Sequence, residues 1–255
     1  MTGRIYRSIL ITGASSGLGK ALALHYAADG VQLHLSGRNK DRLDGVAEKC
    51  RSIGASVEAK IIDVRNAAEM ADWIEKADKA LPLDLVIANA GVSSDTSGAK
   101  ETGDIRNLIR EINIGGIANT VAPILPRMTR RKSGQIALMS SMAAFRGLPS
   151  SPAYSASKAW VKAWGEALRG RMWRDGIGIS VICPGFVRSR ITDGNQFIMP
   201  MFMEASDAAR IIAKGLARNK SLIAFPFRMY LLMWLISALP SWLVDRLSRN
   251  LPDKE

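Results

Sequence analysis

The sequence predicts a doubly wound, mostly parallel α/β sheet of seven strands with helices on both faces. Three observations predict it. Short apolar runs alternate with longer segments of helical spacing from one end of the chain to the other. The short runs are nearly continuous in apolar residues, as a strand must be when both sheet faces are covered. The first run leads directly into a glycine-rich turn and then a helix.

The elements follow in order. "SILITGA" (8–14) is apolar and β-branched and reads as a buried strand, and "GKALALHYAADG" (19–30) is a helix closed by Gly30. "VQLHLSGR" (31–38) is the second strand, followed by the charged amphipathic helix "KDRLDGVAEKCRSIG" (40–54). "SVEAKIIDV" (56–64), the helix "AAEMADWIEKADKA" (67–80) and "LDLVIANAG" (83–91) continue the alternation. A long helical stretch spans 101–128, where Gly115, Gly116 and Pro123 are placed to bend it. "GQIALMSS" (134–141), the helix 152–173, "IGISVICPG" (177–185), the helix 207–219 and "SLIAFPF" (221–227) complete the pattern. No linker, repeat or low-complexity segment divides the 255 residues, so one domain over 1–255 is expected.

Composition narrows the classes. A 47% apolar content suits a globular chain. The net charge of +12 is spread along the sequence, and its densest run, "RMTRRK" (127–132), reads as a helix end, where cations suit the dipole. Nucleic-acid binding is therefore not expected. Cys50 and Cys183 are the only cysteines, and neither they nor His25 and His34 have metal-ligand spacing. A metal site is not expected, and a reducing, cytoplasmic setting is the default. "MTGRIYR" does not read as a signal peptide.

Two motifs carry chemistry. "TGASSGLG" (12–19) sits between the first strand and first helix, with Gly13, Gly17 and Gly19. Glycines there let a backbone approach a ligand, and the helix start offers free N–H groups and a positive dipole end to a diphosphate. "YSASK" places Tyr154 and Lys158 four apart, on one helix face. A nearby ammonium favours the phenolate, which makes tyrosine a usable acid–base group without histidine.

Together "TGASSGLG", "ANAG" and "YSASK" resemble the short-chain dehydrogenase/reductase family, in the family's order and over nearly the whole chain. The resemblance implies a Rossmann-like fold, a nicotinamide cofactor and a small carbonyl or alcohol substrate. It implies cofactor contacts from Thr12, Gly13, Ser15, Ser16, Gly17, Leu18 and Gly19. Asp63 and Val64 would flank the adenine, and Asn89, Ala90 and Gly91 would line the adenosine and ribose; Ala88 stands where the family often has a second Asn. Pro184, Gly185 and Val187 match the nicotinamide turn, with Ser189 where Thr is usual. The catalytic set implied is Asn113, Ser141, Tyr154 and Lys158, with Lys158 also bonding the nicotinamide ribose and Asn113 supporting a water relay. Ser140 is the neighbouring rival of Ser141; side chains alternate along a strand, so one of the two should face the site.

Cofactor type is read from the end of strand two, "HLSGRN". Gly37 stands where an acid would bond the ribose hydroxyls, and Arg38 follows, suited to a 2′-phosphate. NADP(H) is therefore expected over NAD(H).

The substrate end has open alternatives. Residues 190–206, with "FIMPMFM" from Phe197 to Met203, are either a lid over an apolar substrate or a loop packed on the core. The segment 226–250 is an apolar extension, uncharged from Met229 to Val244. Its sixteen uncharged residues are too few for a span of about 20. The favoured reading is a buried helix closing the pocket or a subunit interface; peripheral membrane contact is the alternative. Trp160 and Trp164 mark a second interface, through which the resemblance implies a homodimer or homotetramer. The rival functions are a membrane-surface reductase of a lipid, sterol or retinoid carbonyl, and a cofactor-binding regulatory protein with little turnover.

Overall fold

A computed structural model describes residues 4–93, 101–189, 192 and 199–248. Seven strands form one sheet in the order β3-β2-β1-β4-β5-β6-β7. They are β1 (Ser8–Thr12), β2 (Gln32–Gly37), β3 (Ser56–Ile61), β4 (Leu85–Ala88), β5 (Gln135–Met139), β6 (Gly178–Pro184) and β7 (Leu222–Phe225). All pairings are parallel, where the sequence predicted a mostly parallel sheet. The order reverses between β1 and β4. In open α/β sheets the crevice at the carboxyl ends of such strands is the ligand site.

Alternation along β1 explains the two-sided core. Ile9 and Ile11 face one hydrophobic layer with Leu33, Leu35 and Ile212, while Leu10 faces the other with Val86, Trp73 and Val161. The first layer is covered by α1 (Gly17–Tyr26), α2 (Lys40–Ser52) and a later helix over Ala205–Ala217. The second is covered by α3 (Ala67–Ala80), the helices between 103 and 131, and the long helix Pro152–Met172. Local capping fixes several starts: the Asn39 side chain accepts from Arg42 N–H at 2.9 Å, and Asn66 accepts from Glu69 N–H at 3.2 Å.

The stretch 101–128 is not one helix. It comprises α4 (Gly103–Arg110), a π segment (Glu111–Gly116), α5 (Ile117–Val121) and α6 (Leu125–Arg131). The break before α6 spans Pro123, which has no N–H to continue the ladder. The "RMTRRK" run does end a helix, and two of its charges are used internally. Arg127 Nε lies 2.6 Å and Arg131 Nη1 2.7 Å from the buried carboxylate of Asp78. Beyond α7 (Pro152–Met172) and α8 (Ala205–Ala217) the chain ends its described part in α9 (Phe227–Ala238) and α10 (Ser241–Ser248).

Strands three and four are shorter than their sequence runs. Asp63 and Val64 fall beyond β3, and Asn89 to Gly91 beyond β4, in the loops that leave the sheet's carboxyl edge. α1 ends at Tyr26 with its cap at Ala27, before Gly30, which takes a left-handed turn at φ 75°.

The apolar C-terminus departs most from expectation. In α9 Met229 alone is buried, whereas Phe227 is 69% and Trp234 51% exposed, and Leu231, Leu232 and Leu235 are exposed with them. It is not a buried helix in this chain. Among the described residues no helix is long and apolar enough to cross a membrane.

Candidate active site

The glycine turn begins where Thr12 ends β1. The buried Thr12 Oγ1 accepts from Asn89 N–H at 3.1 Å and Ala90 N–H at 3.2 Å, while Asn89 Nδ2 donates to Thr12 O at 2.9 Å. These bonds tie the β1 and β4 exits together. Gly13 sits at φ 68° and Gly17 at φ 52°, both in the left-handed region. A Cβ on Gly19 would lie 2.3 Å from Gly13 O and 2.6 Å from Asn89 Nδ2, so only glycine fits there. Ser16 caps α1 without a side-chain bond, which leaves the first-turn N–H groups facing the crevice, and Leu18 packs on the core. A diphosphate fits this turn: backbone donors, a helix start and no side chain in the way.

Beside it, the end of β2 lies under Ser15. A Cβ on Gly37 would approach Ser15 Cβ at 3.0 Å and Oγ at 3.1 Å, so a side chain at 37 would press on the turn. Arg38 follows, exposed, with no hydrogen bond or ion pair among the described residues. Asp63 is engaged by a residue the sequence reading missed. Arg65 Nη2 donates to Asp63 Oδ2 at 2.7 Å, and its Nη1 donates to Glu111 Oε2 at 3.4 Å. Hydrogen bonds from Arg65, with help from the charge of Arg38, hold the Asp63 carboxyl below the usual carboxylate range. Val64 is buried against Gly116, where a Cβ would come within 2.4 Å of Val64 Cγ2. Arg38 and Arg65 therefore both act on the Asp63 carboxylate at this end of the crevice.

Ser141 and Ser140 part company at the end of β5. Ser140 is buried and its Oγ donates to Lys158 O at 2.8 Å, holding α7 to the sheet. Ser141 is half-buried, and its Oγ accepts from Ala143 N–H at 3.1 Å, leaving the hydroxyl proton to donate outward. Tyr154 lies in the first turn of α7, which Pro152 opens. Lys158 Nζ stands 5.6 Å from the Tyr154 ring centroid and donates to Met139 O at 2.9 Å. The lysine is 4% exposed with no carboxylate partner among the described residues, and burial pushes its pKa down to about 8.

Asn113 lies in the π segment, fully buried. Its Oδ1 accepts from Val92 N–H at 2.8 Å; its Nδ2 donates to Val92 O at 2.9 Å and to Ser157 Oγ at 3.0 Å. The side chain is thus spent on protein partners, so a water bound at this position would need backbone groups. A π turn supplies them, because the widened ladder loses an intrahelical pairing. Gly91 separates Asn113 from the lysine: its Cβ would lie 3.3 Å from both Asn113 Oδ1 and Lys158 Nζ. Ser157, inside "YSASK" and overlooked in it, also donates to Tyr154 O at 2.7 Å.

The turn after β6 closes the other side. Pro184 ends the strand, and Gly185 N–H donates to Phe225 O at 2.8 Å. Val187 is buried and pairs with Met203, and Arg188 N–H bonds Met203 O at 2.9 Å. Ser189 N–H donates to Thr192 Oγ1 at 2.9 Å, so Thr192, which the sequence reading passed over, shapes this turn. A Cβ on Gly17 would lie 2.9 Å from Ser189 Cβ, so the two turns face each other. Of the anticipated lid, 190, 191 and 193–198 lie outside the described residues, including Phe197. Met201 and Phe202 are exposed, while Met203 packs on the core.

Comparisons with known proteins agree with this fold. The sequence model of the family described as short chain dehydrogenase matches residues 7–196. The chain is 38% identical over 247 residues to an "Uncharacterized oxidoreductase" of Myxococcus xanthus, covering 96% of this chain and 98% of that one. A short-chain dehydrogenase from Sphingobium yanoikuyae in complex with NADPH superposes with a TM-score of 0.78 at 26% identity, covering 92% of this chain and 96% of that chain. A family member from Burkholderia phymatum in complex with NAD superposes at 0.82 and 24% identity, covering 100% and 99%; it speaks for the fold.

Proposed function

The chain belongs to the short-chain dehydrogenase family, and we propose that it is an NADP(H)-dependent oxidoreductase interconverting a carbonyl and a secondary alcohol. Lys158 carries this reading: an ammonium buried without a carboxylate among the described residues, one helical turn beyond Tyr154, at the end of the sheet that also holds Ser141. Burying a lone cation is costly, and a structural role alone gives no return for it. Beside a phenol, it lowers the phenol's pKa.

NADPH, when bound, supplies hydride to the carbonyl carbon. Gly13, Gly17 and Gly19 would hold its diphosphate, with Ser15 and Arg38 at the 2′-phosphate. Asp63, Val64, Asn89, Ala90 and Gly91 would line the adenosine side, and Pro184, Gly185, Val187 and Ser189 the nicotinamide side. Tyr154 gives its proton to the carbonyl oxygen and takes it back in the reverse direction. Ser141 donates to the same oxygen as negative charge develops. Lys158 holds the phenol's pKa down and would also bond the nicotinamide ribose. Asn113 acts as a positioning residue: it locks the loop at Val92 and Ser157 beside the lysine, and the π turn around it leaves a backbone place for a relay water.

NADP(H) preference is supported by the missing acid at Gly37 and by Arg38, whose exposed guanidinium makes no hydrogen bond or ion pair among the described residues. Arg38→Ala is expected to weaken NADPH binding by about 10- to 100-fold, the worth of a charge-assisted pair, and to leave NADH binding within about twofold. Fluorescence titration of both cofactors reads this. Equal losses for the two would remove Arg38 as the selector.

We also propose that the chain self-associates through α7. Trp160 and Trp164 stack there at 5.0 Å between ring centroids, with Trp160 36% exposed. Sedimentation velocity should give a dimer or tetramer that Trp160→Glu dissociates; a monomeric wild type would remove this surface.

A further inference from the structure

The exposed side of α9 is a surface without a partner among the described residues. Wound at about 100° per residue, Met229, Met233 and Ile236 point inward, and Met229 packs where a Cβ on Gly185 would meet its Sδ at 2.6 Å. The outward arc carries Phe227, Leu231, Leu232, Trp234 and Leu235, all exposed. Trp242, in the next helix, is 68% exposed. From Pro226 to Val244 the sequence has one charged residue, Arg228, which is exposed. A surface helix in water normally puts charge on such an arc.

We propose that α9 lies flat in the headgroup–acyl boundary of an anionic lipid surface, with Phe227, Leu231, Trp234 and Leu235 in the apolar layer. Length excludes a span: twelve residues reach about 18 Å, against a hydrocarbon core of about 30 Å. Charge selects lipid over a second copy. A copy meeting by the same face would press two chains of net charge +12 against each other. An anionic headgroup layer instead neutralises Arg228 and attracts the whole basic chain. The tryptophans suit that boundary, with an apolar ring and one polar N–H.

The consequence for catalysis rests on the reductase reading above. α9 borders the site from two directions: Met229 against the nicotinamide turn at Gly185, and Tyr230 edge-on to Phe145 at 5.5 Å, just beyond the turn that Ser141 caps. Exposed Met201 and Phe202 lie near the same turn, through the bond from Met203 N–H to Phe186 O. A helix seated in lipid therefore opens the site toward apolar carbonyl compounds dissolved in the bilayer.

The test is co-sedimentation of the full chain with vesicles of phosphatidylcholine and of an equimolar mixture with phosphatidylglycerol. Wild type should pellet with the mixed vesicles and less with the neutral ones. Leu231→Asp/Leu235→Asp, at two exposed positions, should bind the mixed vesicles at least about tenfold more weakly while keeping its NADPH affinity. In wild type, brominated acyl chains should quench tryptophan emission, and Trp234→Phe/Trp242→Phe should lose most of that quenching; this arm does not depend on the Asp variant folding. Three results each overturn the proposal: no vesicle binding, binding untouched by the double Asp variant, or a wild-type oligomer that this variant dissociates without any vesicle binding. Vesicle binding is read without turnover, so loss of NADPH binding or activity would count against the reductase reading alone.

Discussion

Tyr154→Phe is expected to lower kcat by about a thousandfold, within the range for removing a general acid–base group. Cofactor affinity should stay within about twofold. The substitution removes one hydroxyl and keeps the ring, whose centroid lies 5.6 Å from Lys158 Nζ, so the packing at the start of α7 persists. Melting temperature should therefore barely move. That combination separates a chemical role from a structural one. A tyrosine serving only the fold would lose stability and cofactor affinity along with turnover. Stopped-flow hydride transfer on a panel of apolar ketones, with NADPH titration in parallel, measures both sides. Turnover within about tenfold of wild type would remove Tyr154 from the mechanism, because a group carrying the proton is worth more than that.

The same contrast shows what the sequence made legible. The strands were readable because a strand buried on both faces must be apolar almost throughout, and β1, β4, β5 and β6 are fully buried. Strand ends were less so. "IIDV" and "IANAG" continue the apolar pattern past the last ladder bond, so the sequence run overshoots into the loops that carry Asp63 and Asn89. Alternation told that Ser140 and Ser141 point different ways, and the resemblance to the family chose Ser141 as the one facing the site. The π segment was not legible. Nothing in "EINIGG" distinguishes a widened turn from an ordinary one, because its cause is tertiary: Asn113 is held by Val92, 21 residues away, and by Ser157, 44 away. Arg65 escaped notice for a similar reason, since its partner Glu111 comes from a distant helix.

The apolar C-terminus shows a different limit. Hydrophobicity reports that a segment leaves water without reporting where it goes. "MYLLMWLISALPSWLV" has the composition of a core helix, and only the structure reveals that the core takes one side of it. A helix apolar on all sides meets either protein or lipid, and periodicity does not separate the two.

Lys158→Met should separate stability from activity most sharply. In the folded chain burial lowers the lysine's pKa to about 8, below the ordinary lysine value of about 10.4 that the unfolded chain keeps. Between those two pH values the unfolded chain binds a proton that the folded chain does not, so stability rises with pH across that window. Below about pH 8 both states are protonated, and the folded state bears the full cost of a buried cation. Methionine has a similar length and no charge, and it removes that cost. Against this, Met139 O loses its charged 2.9 Å donor, worth about 1.5–3 kcal/mol. The variant should therefore melt at the wild-type temperature or above it at pH 7, and any advantage should vanish above about pH 10.5. Turnover should nevertheless fall by about 100-fold or more, because the phenol loses the cation that favours its ionised form. In the alcohol-oxidising direction the rising limb of the pH–rate profile should move to higher pH. Tyrosine and lysine titrate as a coupled pair, so the limb belongs to both. A variant that loses activity and melting temperature together would show a lysine kept for the fold. One with an unshifted limb would show a lysine that does not tune the tyrosine. An enzyme that carries a destabilising cation and stops working without it has kept that cation for its chemistry.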